Sequence, residues 1–244
     1  MTTWKWLAEM VHAGAGALGG ALAWSGGIFA RLSDPVARRD AAFSAALIAL
    51  SAKMAKADGV VTAAEVAAFR RIFSMPVTEQ ARVASLFNLA RRDVAGYDVY
   101  AARVARLYAG DRHVLEDVLD GLFVIAKADG AVHEAEFAFL ENVAATFGFG
   151  GADFERIAAR HVVGPEGDPY RVLGVSREMP LAEIRTRYRK LVVEHHPDRF
   201  IAEGRPPDFI AIANDRLAVI NRAFEVIERE HAARPAEAAD PAWS

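Results

Sequence analysis

DPYRVLGVSREMPLAEIRTRYRKLVVEHHPDRF, residues 168–200, contains a helix start, a helix and a helix break in one run. Tyr170, Leu173 and Val175 make a short apolar turn that Gly174 can end, and Ser176 or Pro180 can open the next helix. Leu181, Ile184, Tyr188, Leu191 and Val192 then recur at helical spacing, with Arg185, Arg187, Arg189 and Lys190 mostly off that stripe. Pro197 disfavours helical geometry at His196, so the helix must stop there. After a Gly/Pro-rich loop, Ile210, Leu217, Ile220, Phe224 and Ile227 form the stripe of a further helix. A short connection favours an antiparallel hairpin of the two. HHPDRF, residues 195–200, is then either an ordinary helix end or a small rigid contact surface. A restricted turn binds at lower entropic cost, and Asp198 can accept a charge-assisted hydrogen bond from a partner's arginine.

The segment from about Asp168 to Glu230 resembles the J-domain of the DnaJ family. DPYRVLGV corresponds to its first helix, Leu181–Glu194 to its basic second helix, His196–Asp198 to its His-Pro-Asp signature, and INRAFEVI to its third helix. The resemblance implies binding to a DnaK-type chaperone and stimulation of its ATPase. It makes His196, Pro197 and Asp198 the triggering loop, and Arg185, Arg189 and Lys190 basic contacts to an acidic face of the chaperone. The Gly/Phe-rich stretch and the cysteine zinc module found in general DnaJ chaperones are missing, since the chain has no cysteines. Client holding by that apparatus is therefore not expected.

The middle of the chain repeats itself. AKADGVVTAAEVAAF (Ala55–Phe69) matches AKADGAVHEAEFAFL (Ala126–Leu140), pairing Asp58 with Asp129, Gly59 with Gly130 and Glu65 with Glu136. Each copy reads as helix, Asp-Gly turn, helix. The glycine provides a left-handed cap; Thr62 with Glu65, and more weakly His133 with Glu136, provide a capping box. A calcium loop in the EF-hand register is disfavoured. Its first and third places hold Met54 and Lys56, or Ile125 and Lys127, where carboxylates are needed. Leu47, Ile48, Leu50 and Met54, then Val83, Leu86 and Phe87, then Leu115, Val118, Leu119, Leu122 and Ile125 are expected core positions. This region, about residues 36–162, resembles the all-helical TerB-like family. That resemblance links it to envelope complexes and divalent metals, with Asp58, Glu65, Asp129 and Glu136 the matching positions; no metal or other cofactor is assigned to them.

Met10–Ala30 carries no formal charge with His12 neutral, and it has the length of a bilayer-spanning helix. Arg31, Arg38 and Arg39 follow it and only Lys5 precedes it, which places the C-terminal bulk in the cytoplasm. Ala15, Gly19, Ala23 and Gly27 form a small-residue stripe through which two such helices could associate. The alternative is a buried or surface-lying glycine-rich helix.

The expected fold is all-α. Residues 1–33 form an apolar helix or inner-membrane anchor, 34–163 a two-repeat TerB-like domain, 164–232 the J-domain, and 233–244 a disordered tail. Apolar N-terminus, TerB-like middle and terminal J-domain together resemble the DjlA-type membrane-anchored J-proteins of bacteria. The expected role is a regulator rather than an enzyme. His195, His196 and Asp198 lie on one turn with no second cluster of ligand spacing to make a metal or acid–base site. Nucleic acid is not an expected partner: the net charge is −3, and the basic helix begins Leu-Ala-Glu-Ile rather than with base-reading residues. The remaining alternative is a TerB-like scaffold, or a divalent-metal-responsive envelope stress protein, whose J fold does not stimulate an ATPase.

Overall fold

The computed structural model describes residues 47–55, 63–72, 81, 84, 96–161, 168–202 and 207–233. Within them every regular element is helical: α1 (47–55), α2 (Ala63–Ile72), α3 (Tyr97–Leu107), α4 (Arg112–Ala126), a 3-10 turn (Lys127–Asp129), α5 (Glu134–Thr146), α6 (Gly151–Ala159), α7 (Pro169–Leu173), α8 (Leu181–Glu194), α9 (Pro197–Ala202) and α10 (Pro207–Ala233). The apolar run 10–30, the stripe at Val83–Ala90, Asp58, Gly59, Thr62 and the tail 234–244 lie outside the described residues. Among the described residues no helix is long and apolar enough to cross a membrane.

Two cores organise these helices. The first is centred on α4, whose residues from Val114 to Ala126 are all buried. Leu47, Leu50 and Met54 of α1, Tyr100 and Val104 of α3, Phe139, Leu140 and Val143 of α5, and Phe154 and Ile157 of α6 close around it. A helix buried on every face needs close neighbours, and Gly121 provides room for them. A Cβ there would stand 3.1 Å from Leu47 Cδ2 and 3.2 Å from Ile212 Cδ1. The second Asp-Gly turn behaves as its residues suggest. Gly130 takes the left-handed conformation (φ +117°), and Glu136 accepts the His133 backbone N–H at 2.9 Å.

The second core joins Tyr170, Val172 and Leu173 of α7, Ile184 and Leu191 of α8, and Ile220, Phe224 and Ile227 of α10. Asp168 caps α7 by accepting the Tyr170 N–H at 3.1 Å. The α8–α10 pair is antiparallel: Arg185 meets Glu228 at 2.7 Å, Tyr188 stacks on Phe224 with ring centroids 4.0 Å apart, and His195 meets Arg216 at 2.9 Å. Tyr170 Oη donates to Glu230 at 2.9 Å and ties the first helix to the end of the third.

Gly174 ends α7 at φ +65°, and a Cβ there would sit 3.1 Å from Arg156 Cδ. Arg156 is itself held by Glu116 and cannot swing away freely. Gly174→Ala is therefore expected to cost about 1–2 kcal/mol, from left-handed strain and from crowding the Arg156–Glu116 pair. Chemical unfolding of parent and variant measures it.

The two cores share a helix. α10 buries Ile212 in the first and Ile220 and Ile227 in the second. The apolar spacing alone predicts one face of one hairpin from Ile210 to Ile227. The first turns of α10 instead reach the TerB-like part.

Candidate functional site

The basic helix α8 ends at Glu194, and His195 is its C-cap (φ −111°, ψ 15°). The backbone breaks at His196, as a residue preceding proline requires. The expected loop is in fact a helix start: Pro197 opens the short helix α9, its fixed φ and missing N–H suiting a first helical position. Asp198 sits in that first turn, where a carboxylate is favoured. Its backbone N–H donates to His196 Nδ1 at 3.2 Å, and its carboxylate lies 3.5 Å from the same nitrogen. The side chains of His196 and Asp198 thus converge and remain open, at 44% and 80% exposed.

The neighbouring histidine turns the other way. His195 is buried, and its Nδ1 lies 2.9 Å from Arg216 Nη1. A guanidinium can only donate, so His195 Nδ1 accepts and the ring is neutral with its proton on Nε2. Burial first, and then the charge of Arg216, hold its pKa down to about 3. The structure therefore separates His195 from His196 and Asp198, and the three do not form a joint acid–base or metal site.

On α8, Arg185, Arg189 and Lys190 are exposed. Arg185 pairs with Glu228 across the hairpin, and Lys190 lies 3.8 Å from Glu194. Arg187 does not join this face: its Nε donates to the Leu173 carbonyl at 3.4 Å, pinning α7 to α8. The candidate surface is an exposed His–Asp turn at the end of a helix whose outer face is basic.

Behind it lies a cluster that sequence reasoning does not find. Glu116, Asp117 and Asp120 of α4 are all buried. Arg156 forks onto Glu116 at 3.0 and 3.3 Å, Arg160 reaches the same carboxylate at 2.5 Å, and His161 meets Asp120 at 2.6 Å. Arg216 of α10 bonds Asp120 through Nε at 2.5 Å and Asp117 through Nη2. Burial opposes ionisation of Glu116, but Arg160, Arg156 and Arg216 overcome it and hold that carboxyl well below its usual range. Asp120 is lowered likewise, by Arg160, Arg216 and His161 against the cost of burial. Asp117 goes up to about 7: burial raises it, Asp120 and Glu116 add to the rise, and Arg216 opposes it. One signal was available. EDVLDGLFVIA is too apolar around its acids for a helix with one wet face, so three carboxylates inside it needed buried cations.

The second Asp-Gly turn is not arranged as a cation loop. Asp129 meets His133 at 3.2 Å, and Lys127, at the third EF-hand place, points its ammonium at His161 Nδ1, 3.4 Å away. Among the described residues no group of three or more His, Cys, Asp or Glu is placed to hold a metal ion.

Comparison with known proteins bears on both halves. Residues 44–159 match the family model of the tellurite resistance protein TerB, and residues 168–234 match that of the DnaJ domain. It is a J-domain protein with a TerB domain. The chain is 28% identical to a co-chaperone protein DjlA of Photobacterium profundum, with 79% of each chain covered. It is 25% identical to one of Shewanella oneidensis, with 86% of each covered. It is 31% identical to one of Vibrio cholerae over 51% of this chain and 45% of that relative. No solved structure matches it. The antiparallel α8–α10 hairpin is thus the hairpin of a J-domain, and the Asp-Gly repeat belongs to the TerB domain.

Proposed function

We propose that the protein is a co-chaperone, not an enzyme: it binds a DnaK-type chaperone and stimulates its ATPase through His196, Pro197 and Asp198. Arg185, Arg189 and Lys190 guide the encounter with an acidic face of the chaperone. The TerB domain, with bounds near 34 and 163, directs the activity to clients or envelope partners. The run 10–30 tethers the chain to the inner membrane, with the bulk in the cytoplasm, and its small-residue stripe offers a route to self-association. The DjlA names of the relatives support the co-chaperone reading. The observation that carries it is the exposed His196–Asp198 turn, locked by Pro197 at the end of a basic helix.

The test is steady-state ATP hydrolysis by a DnaK-type chaperone against increasing amounts of this protein. His196→Gln and Asp198→Asn are each expected to abolish stimulation while leaving circular-dichroism melts unchanged. Both side chains are exposed, and surface changes usually alter stability by no more than about 0.5 kcal/mol. A His196→Gln protein that stimulates as well as the parent at every concentration defeats the proposal. Charge reversal at Arg185 and Lys190 is expected to raise the half-maximal concentration most at low salt and less at high salt, because steering between exposed charges is screened.

A further inference from the structure

The acid cluster of α4 contains three carboxylates, and the TerB domain itself brings two guanidiniums to it, Arg156 and Arg160. The third comes from the J-domain. Arg216 is buried, and it spends Nε on Asp120, Nη2 on Asp117 and Nη1 on His195. Two of these partners lie in the TerB domain; the third is the residue immediately before His196. His195 is held from a second side as well, with its ring edge-on to His113 of α4 at 5.9 Å and 78°. The chain from α4 carboxylates to guanidinium to imidazole ends one peptide bond from the trigger. All the while His196 and Asp198 stay open to solvent, so the contact presents the turn and does not cover it.

We infer that Arg216 is a positioning residue for the His-Pro-Asp turn, and that the carboxylates of the TerB domain are its anchor. This rests on the co-chaperone reading above. The TerB domain is then part of the trigger's geometry as well as a means of address. The J-domain reaches full effect only when docked on it. Arg216 has two separable duties: its charge balances Asp117 and Asp120, and its planar fork reaches His195 at the same time. A lysine in its place keeps the charge but, as a single ammonium, cannot span three side chains.

The experiment compares full-length parent, Arg216→Lys, His195→Gln and His196→Gln in the same chaperone-ATPase titration. Thermal melts and histidine C2–H exchange, read by mass spectrometry across pH, accompany each protein. Arg216→Lys and His195→Gln are expected to lower maximal stimulation about tenfold, the scale of losing one hydrogen bond to a charged group. His195 in Arg216→Lys, without the Nη1 hydrogen bond, should titrate upward from the parent although burial still holds it below the ordinary histidine range; a merely structural loss elsewhere would not produce that signature. Should Arg216→Lys melt well below the parent, His195→Gln carries the test, since it leaves the Arg216–carboxylate contacts in place. Parent-level stimulation by both variants overturns the positioning role, as does a His195 titration unchanged by Arg216→Lys. A parent that gives no more stimulation than His196→Gln instead defeats the co-chaperone reading and takes this inference with it.

Discussion

Glu116→Ala is expected to lower the unfolding free energy by about 3–5 kcal/mol, the usual cost of stranding buried charges. Glu116 receives both arms of Arg156 and one of Arg160, and the latter side chain is only 1% exposed. With the carboxylate gone, the nearest acceptor for Arg160 is Asp120 at 3.6 Å, which His161 and Arg216 already share. A domain of this size loses about 2–4 °C in Tm per kcal/mol, so the melt should fall by roughly 10 °C. The sign of coupling is a sharper test than the size. Adding Arg160→Leu to Glu116→Ala removes one charge of each sign and restores balance, so the double variant should lose less than the two single losses added together. Strict additivity would mean that the carboxylate and the guanidinium do not feel each other.

Acid should be the second large lever, acting through His195. Its folded pKa lies near 3 and its unfolded value near 6.5, so the native state is favoured by holding it neutral. That stability is fully present above pH 6.5 and is lost as pH falls toward 3, at about 1.4 kcal/mol per pH unit and of the order of 5 kcal/mol in all. The groups set against the imidazole are Arg216, the ring of His113, and the charges of Glu116, Arg160 and Asp120. His161, also lowered chiefly by burial, works in the same direction. Asp117 works in the opposite one: with its pKa raised to about 7, its contribution is present below pH 4 and lost as pH rises toward 7. The parent's own curve therefore mixes opposing slopes, and the informative quantity is the difference from His195→Gln. Urea unfolding at pH 7.5, 6.5, 5.5 and 4.5 should show the parent losing ground to the variant at each step below 6.5. Parallel curves would mean that His195 is not held neutral in the folded protein.

Much of the architecture was legible because it depends on local rules. The stripe from Leu115 to Ile125 marks a core helix, Gly130 and Gly174 fall where left-handed caps are needed, and His-Pro-Asp breaks a helix wherever it stands. The arrangement that joins the domains was not, for two physical reasons. Acids at 116, 117 and 120 have the same pattern whether they face water or buried arginines; only their partners, about 40 and 100 residues away, decide. The other reason is that a 27-residue helix can change neighbours along its length. Ile212 and Ile220 look alike in sequence yet belong to different cores. The short helix after Pro197 is hard to foresee because a proline that ends one helix is equally suited to begin the next.

The reach of Arg216 also bears on how the chain is made. It pairs with Asp117 across 99 positions, so at ribosomal speeds of roughly 5–20 residues per second the acids of α4 emerge on the order of ten seconds before their last cation. During that interval the nascent TerB domain has two guanidiniums for three carboxylates, and closing its centre would require Asp117, which burial already pushes up, to take up a proton. The charge balance of the early half is then completed only when α10 has left the tunnel and Arg216 reaches Asp117 and Asp120. A late-made helix thus supplies the final cation to a centre whose acids were made first.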